Sequence, residues 1–142
     1  MPAQIIGAVG LTSMAAGAYY VATGKLDHTA AALWLANWLF AGDQIHFVQV
    51  RIRSSRAGSL DEKMKQGLPF LCGQVVLIGV ILAACRFRLF SDAMALAFLP
   101  VLVRGTWWFV RRHRPLDVHK LGLSELAHAS IFGTLLCAAF ML

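Results

Sequence analysis

"LANWLFAGDQIHFVQVRIRSS", residues 35–55, decides the fold. It begins as an apolar run, gathers Asp43, Gln44, His46 and Gln49, and only then reaches Arg51 and Arg53. Around it the apolar material comes in long blocks. Of 142 residues 58% are hydrophobic and 14% charged, and the mean hydropathy is +0.66. A soluble domain of this size normally carries about 25% charged residues. A bilayer is therefore the expected solvent.

Five blocks, over residues 3–22, 29–50, 68–85, 91–110 and 121–142, are long enough to cross a hydrocarbon core, which takes roughly 20 helical residues. The breaks "TGKLDH", "RIRSSRAGSLDEKMKQG", "RFRLF" and "RRHRPLDVHK" carry turn and charge chemistry. Barrel strands would show alternating segments of about ten residues instead. The expectation is an all-α, polytopic transmembrane helix bundle of about five spans. It forms a single domain, 1–142, with residues 54–67 as its one long connection. Gly7, Gly10, Gly17, Gly73 and Gly79 suit close helix packing in lipid. Cys72, Cys85 and Cys137 form no C-x-x-C spacing and read as small buried side chains. A Cys85–Cys137 bridge is the lesser reading.

Charge sets the orientation. Arg51, Arg53, Arg56, Lys63 and Lys65 follow the second span, and Arg111, Arg112, Arg114 and Lys120 follow the fourth. The opposite connections hold Lys25 in one and Arg86 and Arg88 in the other. The positive-inside rule puts the rich loops and the N-terminus in the cytoplasm and the C-terminus outside. Trp107 and Trp108 then stand in the cytoplasmic aromatic belt. These loops absorb most of the net charge of +6, so lipid is the expected partner and nucleic acid is not. The first span lacks a basic n-region and reads as a retained helix, although "GAYYVATG" mimics a cleavage region.

Ionisable groups inside spans are rare and call for partners. At 1.5 Å per residue, Asp43 lies roughly 10 Å and His46 roughly 6 Å from the inner end of the second span. Glu125 lies at roughly 6 Å and His128 at roughly 10 Å in the fifth. Arg104 and Gln74 fall at about 9 Å in the fourth and third. Asp43-x-x-His46 and Glu125-x-x-His128 each place two ligands on one helix face. If the two spans are antiparallel neighbours, Asp43 meets His128 and His46 meets Glu125, and the four could close around a divalent metal. A bis-histidine haem on His46 and His128 is a second possibility. The favoured reading is a structural ion-pair layer, in which Glu125 favours the helix N-terminus or pairs with Arg104 and the histidines are satisfied by a backbone carbonyl, a neighbouring acid or a lipid headgroup. His28, His113 and His119 are weaker candidates. Asn37, Gln44 and Arg51 form a separate stripe at seven-residue spacing, which favours a central position for the second span or a partner beside it.

Other chemistry is weighed by what is missing. No two acids stand as Asp-x-x-x-Asp, the pattern that holds magnesium against a pyrophosphate. Asn37 could open such a series, but Ala41 and Ile45 follow it. There is no P-loop, Gly-x-Ser-x-Gly or His-Glu-x-x-His motif. The basic loops can attract anionic headgroups without sequence preference.

"LWLANWLFAGDQIHFVQVRIRSS" with the later "HKLGLSELAHASIFGTLL" resembles the C-terminal part of the YwiC-like bacterial membrane proteins. The matching positions are Leu33, Trp34, Leu35, Asn37, Gly42, Phe47, Val48, Ile52, Arg53, Lys120, Gly122 and Glu125. The family's opening His-Gly-Ala-Trp-type motif is absent, and Asp43 and His46 are not part of its pattern. The resemblance implies a multi-pass protein of the bacterial inner membrane and carries no established reaction. The favoured function is a non-catalytic accessory or anchoring subunit of an inner-membrane complex, beside other membrane subunits. The second reading is a metal- or haem-binding redox protein using Asp43, His46, Glu125 and His128. The third is a degenerate prenyltransferase-like enzyme or a small transporter.

Overall fold

Six helices account for nearly all of residues 2–55, 59–110 and 116–141, which are those described by the computed structural model. They are α1 (Pro2–Thr23), α2 (His28–Ser54), α3 (Leu60–Arg86), α4 (Asp92–Leu96), α5 (Leu99–Val110) and α6 (Val118–Ala139). Among the described residues, four stretches are long and apolar enough to cross a membrane: Ala3–Thr23, Leu60–Arg86, Asp92–Val110 and Val118–Ala139. The chain is an integral membrane helix bundle. By length α2 spans too, at roughly 40 Å for its 27 residues. Its polar residues lower its hydropathy; neighbouring helices bury Asp43 and partly cover Asn37, Gln44, His46 and Gln49.

Local chemistry sets the boundaries. Asp27 caps α2, accepting from the backbone of Thr29 and Ala30, and takes the Tyr19 hydroxyl at 3.1 Å, which ties it to α1. Ser59 caps α3 through the Glu62 N–H in the Ser-x-x-Glu spacing of a capping box. The expected loop 54–67 is therefore mostly helix: α2 runs to Ser54 and α3 starts at Leu60. Charge along residues 60–67 had hidden a helical face, on which Lys63, Gly67, Phe70, Gln74, Leu77, Ile81 and Ala84 are buried. Arg56, Arg111, Arg112, Arg114 and His113, and the end of the last span at Leu142, lie outside the described residues.

The fourth span is broken. Pro100 has no N–H for the Leu96 carbonyl, and its ring crowds that carbonyl. The chain tightens there, with Ala97 N–H on Met94 O at 3.2 Å and Phe98 N–H on Ala95 O at 3.1 Å. Ala97 and Phe98 are fully buried at this step.

The helices enclose two apolar clusters. One gathers Ala36, Phe40, Leu77, Ile81, Phe98, Val101, Phe132 and Leu136 with the α4 region. The other holds Phe47, Val50, Phe70, Trp108 and Leu121. In α2, α3, α5 and α6 alike, a polar residue separates the two sets in sequence: Asp43, Gln74, Arg104 and Glu125. The core is two hydrophobic blocks with a polar layer between them.

α2 lies against α1 and α3 and bonds to α6 through Gln44. It is central, as its two polar stripes imply. α1 is held by indole N–H groups of α2, Trp34 to Val9 O at 3.1 Å and Trp38 to Ile5 O at 3.4 Å, and by a Gln49–Gln4 amide pair.

Two expectations about small residues change. Cys72 and Cys137 are exposed and Cys85 half-buried, and all three are free thiols. Gly7, Gly10, Gly17 and Gly79 have, beyond their own stretch of helix, no atom within 4 Å of where a Cβ would stand, so they serve no close approach among the described residues. The glycines that do are Gly73, where a Cβ would stand 2.8 Å from His46 Nδ1, and Gly67, where it would stand 2.7 Å from Trp108 and Phe109 ring atoms. Gly105 lies 3.0 Å from Gln74 Oε1 on the same measure.

Candidate functional site

Arg104 is the centre of the polar layer. Its Nη2 donates to Asp43 Oδ2 at 2.7 Å and its Nη1 to Glu125 Oε2. The Phe47 ring lies under the guanidinium, 4.1 Å from Cζ to the centroid, a cation–π contact. Gln74 donates its amide to the other oxygen of Asp43. Gln44 donates to the backbone carbonyl of Glu125 at 3.0 Å. The ion pairs are nearly dry, with side-chain exposures of 8% for Arg104, 2% for Asp43 and 12% for Glu125. Arginine suits this place because its planar fork serves two carboxylates at once while its face stays on an aromatic ring.

The four candidate ligands separate into unlike roles. Asp43 and Glu125 converge on Arg104. His46 packs edge-on against Phe70, 5.3 Å between centroids, in the space left by Gly73. His128 shares its Nδ1 proton with the Ser124 carbonyl of its own helix at 2.7 Å. Asn37 likewise donates to its own helix, at Leu33 O. Among the described residues no three His, Cys, Asp or Glu side chains gather as metal ligands would. The two histidines line different cavities. His28 opens α2 and His119 lies in the first turn of α6.

The smaller cavity, about 160 Å³, lies between α1, α2 and α3 and is walled by Trp38, Asp43, His46, Gln74 and apolar side chains. The larger, about 750 Å³, opens where α2 and α5 end and α3 and α6 begin. Arg104 and His128 form its floor, with Arg51, Lys63, Lys120, Trp107 and Trp108 on its walls. Lys63 is buried although it reads as a loop cation; its ammonium donates to Trp108 O at 2.8 Å and lies 4.6 Å over the Trp108 ring. Asp117, at the rim, caps α6. The Lys120 backbone N–H and then the Lys120 side chain hold its carboxyl below the usual carboxylate range, against a weaker opposing effect of burial.

Sequence reasoning missed Phe47 as the face partner of Arg104, Lys63 as an interior cation and the cavity itself. The signal for Lys63 was present: Lys63, Gly67, Phe70 and Gln74 recur at four, three and four residues, the spacing of one helix face. Nothing in the sequence announced the cavity, because its walls come from four helices.

Compared with known proteins, the chain matches no family model, no curated protein and no solved structure.

Proposed function

We propose that this chain is a non-catalytic accessory or anchoring subunit of a bacterial inner-membrane complex, with its N-terminus and the basic connections in the cytoplasm. The observation that carries the reading is how the membrane-depth charges are used. Arg104 bonds both Asp43 and Glu125 and so fastens α2, α5 and α6 together, with α3 joined through Gln74. Charge spent this way holds helices in a fixed arrangement, which is what an anchoring subunit needs. α1 supports the same reading, because Ile6, Leu11, Met14 and Val21 are between 69% and 85% exposed on a helix that packs on α2 alone among the close helix pairs. The charge asymmetry and the resemblance to YwiC-like proteins support the bacterial inner membrane and the orientation.

The test is what leaves the membrane with the protein. Extraction from native membranes in a mild detergent should give one larger species of fixed stoichiometry. A protein that migrates alone in every mild detergent overturns the subunit reading. Metal analysis and a visible spectrum belong to the same preparation. A Soret band lost in His46→Ala, or stoichiometric metal lost in Asp43→Ala and His128→Ala, would put the redox reading in its place.

A further inference from the structure

The cavity between α2, α3, α5 and α6 gathers positive groups beyond those of the ion layer, Lys63 among them with its ammonium also on Trp108 O. Arg104 spends both Nη atoms on Asp43 and Glu125. Arg51 from α2, Lys63 from α3 and Lys120 from α6 stand on the walls above it. They come from three directions onto one space of about 750 Å³, within the roughly 300–1,000 Å³ typical of small-molecule sites. The Nε of Arg104, on the floor, is buried and has no hydrogen-bond partner among the described residues.

The hydroxyls nearby do not compete for the role of donor. Ser54, Ser55 and Ser124 each donate to a carbonyl of their own helix, so a ligand would meet cations. The carboxylate on the wall, Asp117, is engaged with Lys120 at 3.3 Å. Lys120 is 83% exposed there, which makes that pair weak and easily shared. The remaining wall is of another kind. Pro100, Val103, Trp107 and Leu121 line it, and Val103 and Trp107 are 54% and 57% exposed. An apolar wall on the outer surface of a membrane helix opens toward acyl chains as well as water.

We propose that this cavity binds a single anionic amphiphile, its phosphomonoester headgroup held by Arg51, Lys63 and Lys120 and its hydrocarbon tail leaving past Val103 and Trp107. Three cations from three helices match the three terminal oxygens of a phosphomonoester, where a phosphodiester offers two. Basic pockets between membrane helices on the cytoplasmic side are established headgroup sites, and arginine meets phosphate with a planar pair of donors.

Native mass spectrometry of the detergent-solubilised full chain tests this, titrated separately with phosphatidic acid, phosphatidylglycerol and phosphatidylcholine of equal chain length. One phosphatidic acid should bind at least tenfold more tightly than the other two lipids. Arg51→Gln and Lys120→Gln should each weaken it about fivefold, the worth of one cation near a membrane surface. Lys65→Gln, whose partner is the exposed Asp61, should leave it unchanged. Arg51→Lys, which keeps the charge, should retain most of the binding, and matched thermal transitions show that the variants fold. Phosphatidylcholine or phosphatidylglycerol binding equally well overturns the proposal, as does wild-type binding by folded Arg51→Gln and Lys120→Gln. Millimolar inorganic phosphate that displaces the lipid completely would mark a free-anion site and overturn the amphiphile.

Discussion

At the scale of single residues, Arg104 has the most to lose. Its two carboxylate partners are almost dry, and removing the cation leaves both charges facing each other. Arg104→Gln should destabilise the protein by about 3 kcal/mol or more, the usual result of breaking a buried pair, seen as a lower midpoint of thermal unfolding in detergent. Arg104→Lys should rescue only part of this, since a point ammonium cannot serve Asp43, Glu125 and the Phe47 face together. Asp27 responds to pH. Burial pushes its carboxyl up, but the N–H groups of Ala30 and Thr29, the Tyr19 hydroxyl and His28 together bring it below the usual value. A depressed folded pKa contributes stability that is present above the unfolded value of about 3.9 and lost as pH falls through the folded one. The start of α2 should therefore loosen in acid. Asp27→Asn, which keeps an acceptor and removes the titration, should flatten the fall of the unfolding midpoint below about pH 4. The sequence displayed Asp43, Gln74, Arg104 and Glu125 at similar depths by counting alone. Phe47 was invisible as a partner, because a phenylalanine in an apolar run has no depth signal of its own.

At the scale of elements, helix ends and close crossings make the test. α3 stops in a Schellman arrangement, with Arg88 N–H on Cys85 O at 3.0 Å and Leu89 N–H on Ala84 O at 2.8 Å. Arg88 occupies the left-handed position at φ 57°, where glycine is the usual residue. Gly24 fills the comparable place after α1 at φ 69°. Arg88→Gly should stabilise by about 1 kcal/mol, raising the unfolding midpoint by a few degrees. Between α3 and α5 the constraint is space. A Cβ on Gly67 would stand 2.7 Å from both the Trp108 and Phe109 rings, so Gly67→Ala should cost about 1–3 kcal/mol through displacement of those rings. Gly79→Ala meets nothing within 4 Å and should gain about 0.5–1 kcal/mol from helix propensity. The pair separates crossing glycines from spare ones in a single unfolding series. The sequence does not show this difference: Gly79 interrupts an apolar run, while Gly67 closes a charged stretch that reads as a loop.

At the scale of the whole molecule, the two hydrophobic blocks and the charged layer between them fix how four helices align along the membrane normal. Sliding one helix by a turn, about 5.4 Å, would carry a polar group of the layer into an apolar cluster. The layer thus sets register, and the apolar surface left outside faces lipid. If the basic connections are cytoplasmic, a cysteine at Asp61 should react with a membrane-impermeant thiol reagent only in inverted vesicles, and one at Lys25 only in right-side-out vesicles. The reverse pattern would invert the orientation. The sequence by itself determined that the chain is a bundle of membrane helices, where most of them run, and which polar residues share a depth. Those properties follow from hydropathy and a fixed rise per residue, both of which are local. Tertiary structure alone decided that Asp43 and Glu125 meet on one arginine, that His46 and His128 face different cavities, and that Lys63 belongs to the interior. It also decided that Pro100 divides the fourth span into α4 and α5 around a buried Phe98. These depend on which helix faces which, and that is settled by packing between residues as far apart in the chain as Asp43 and Arg104.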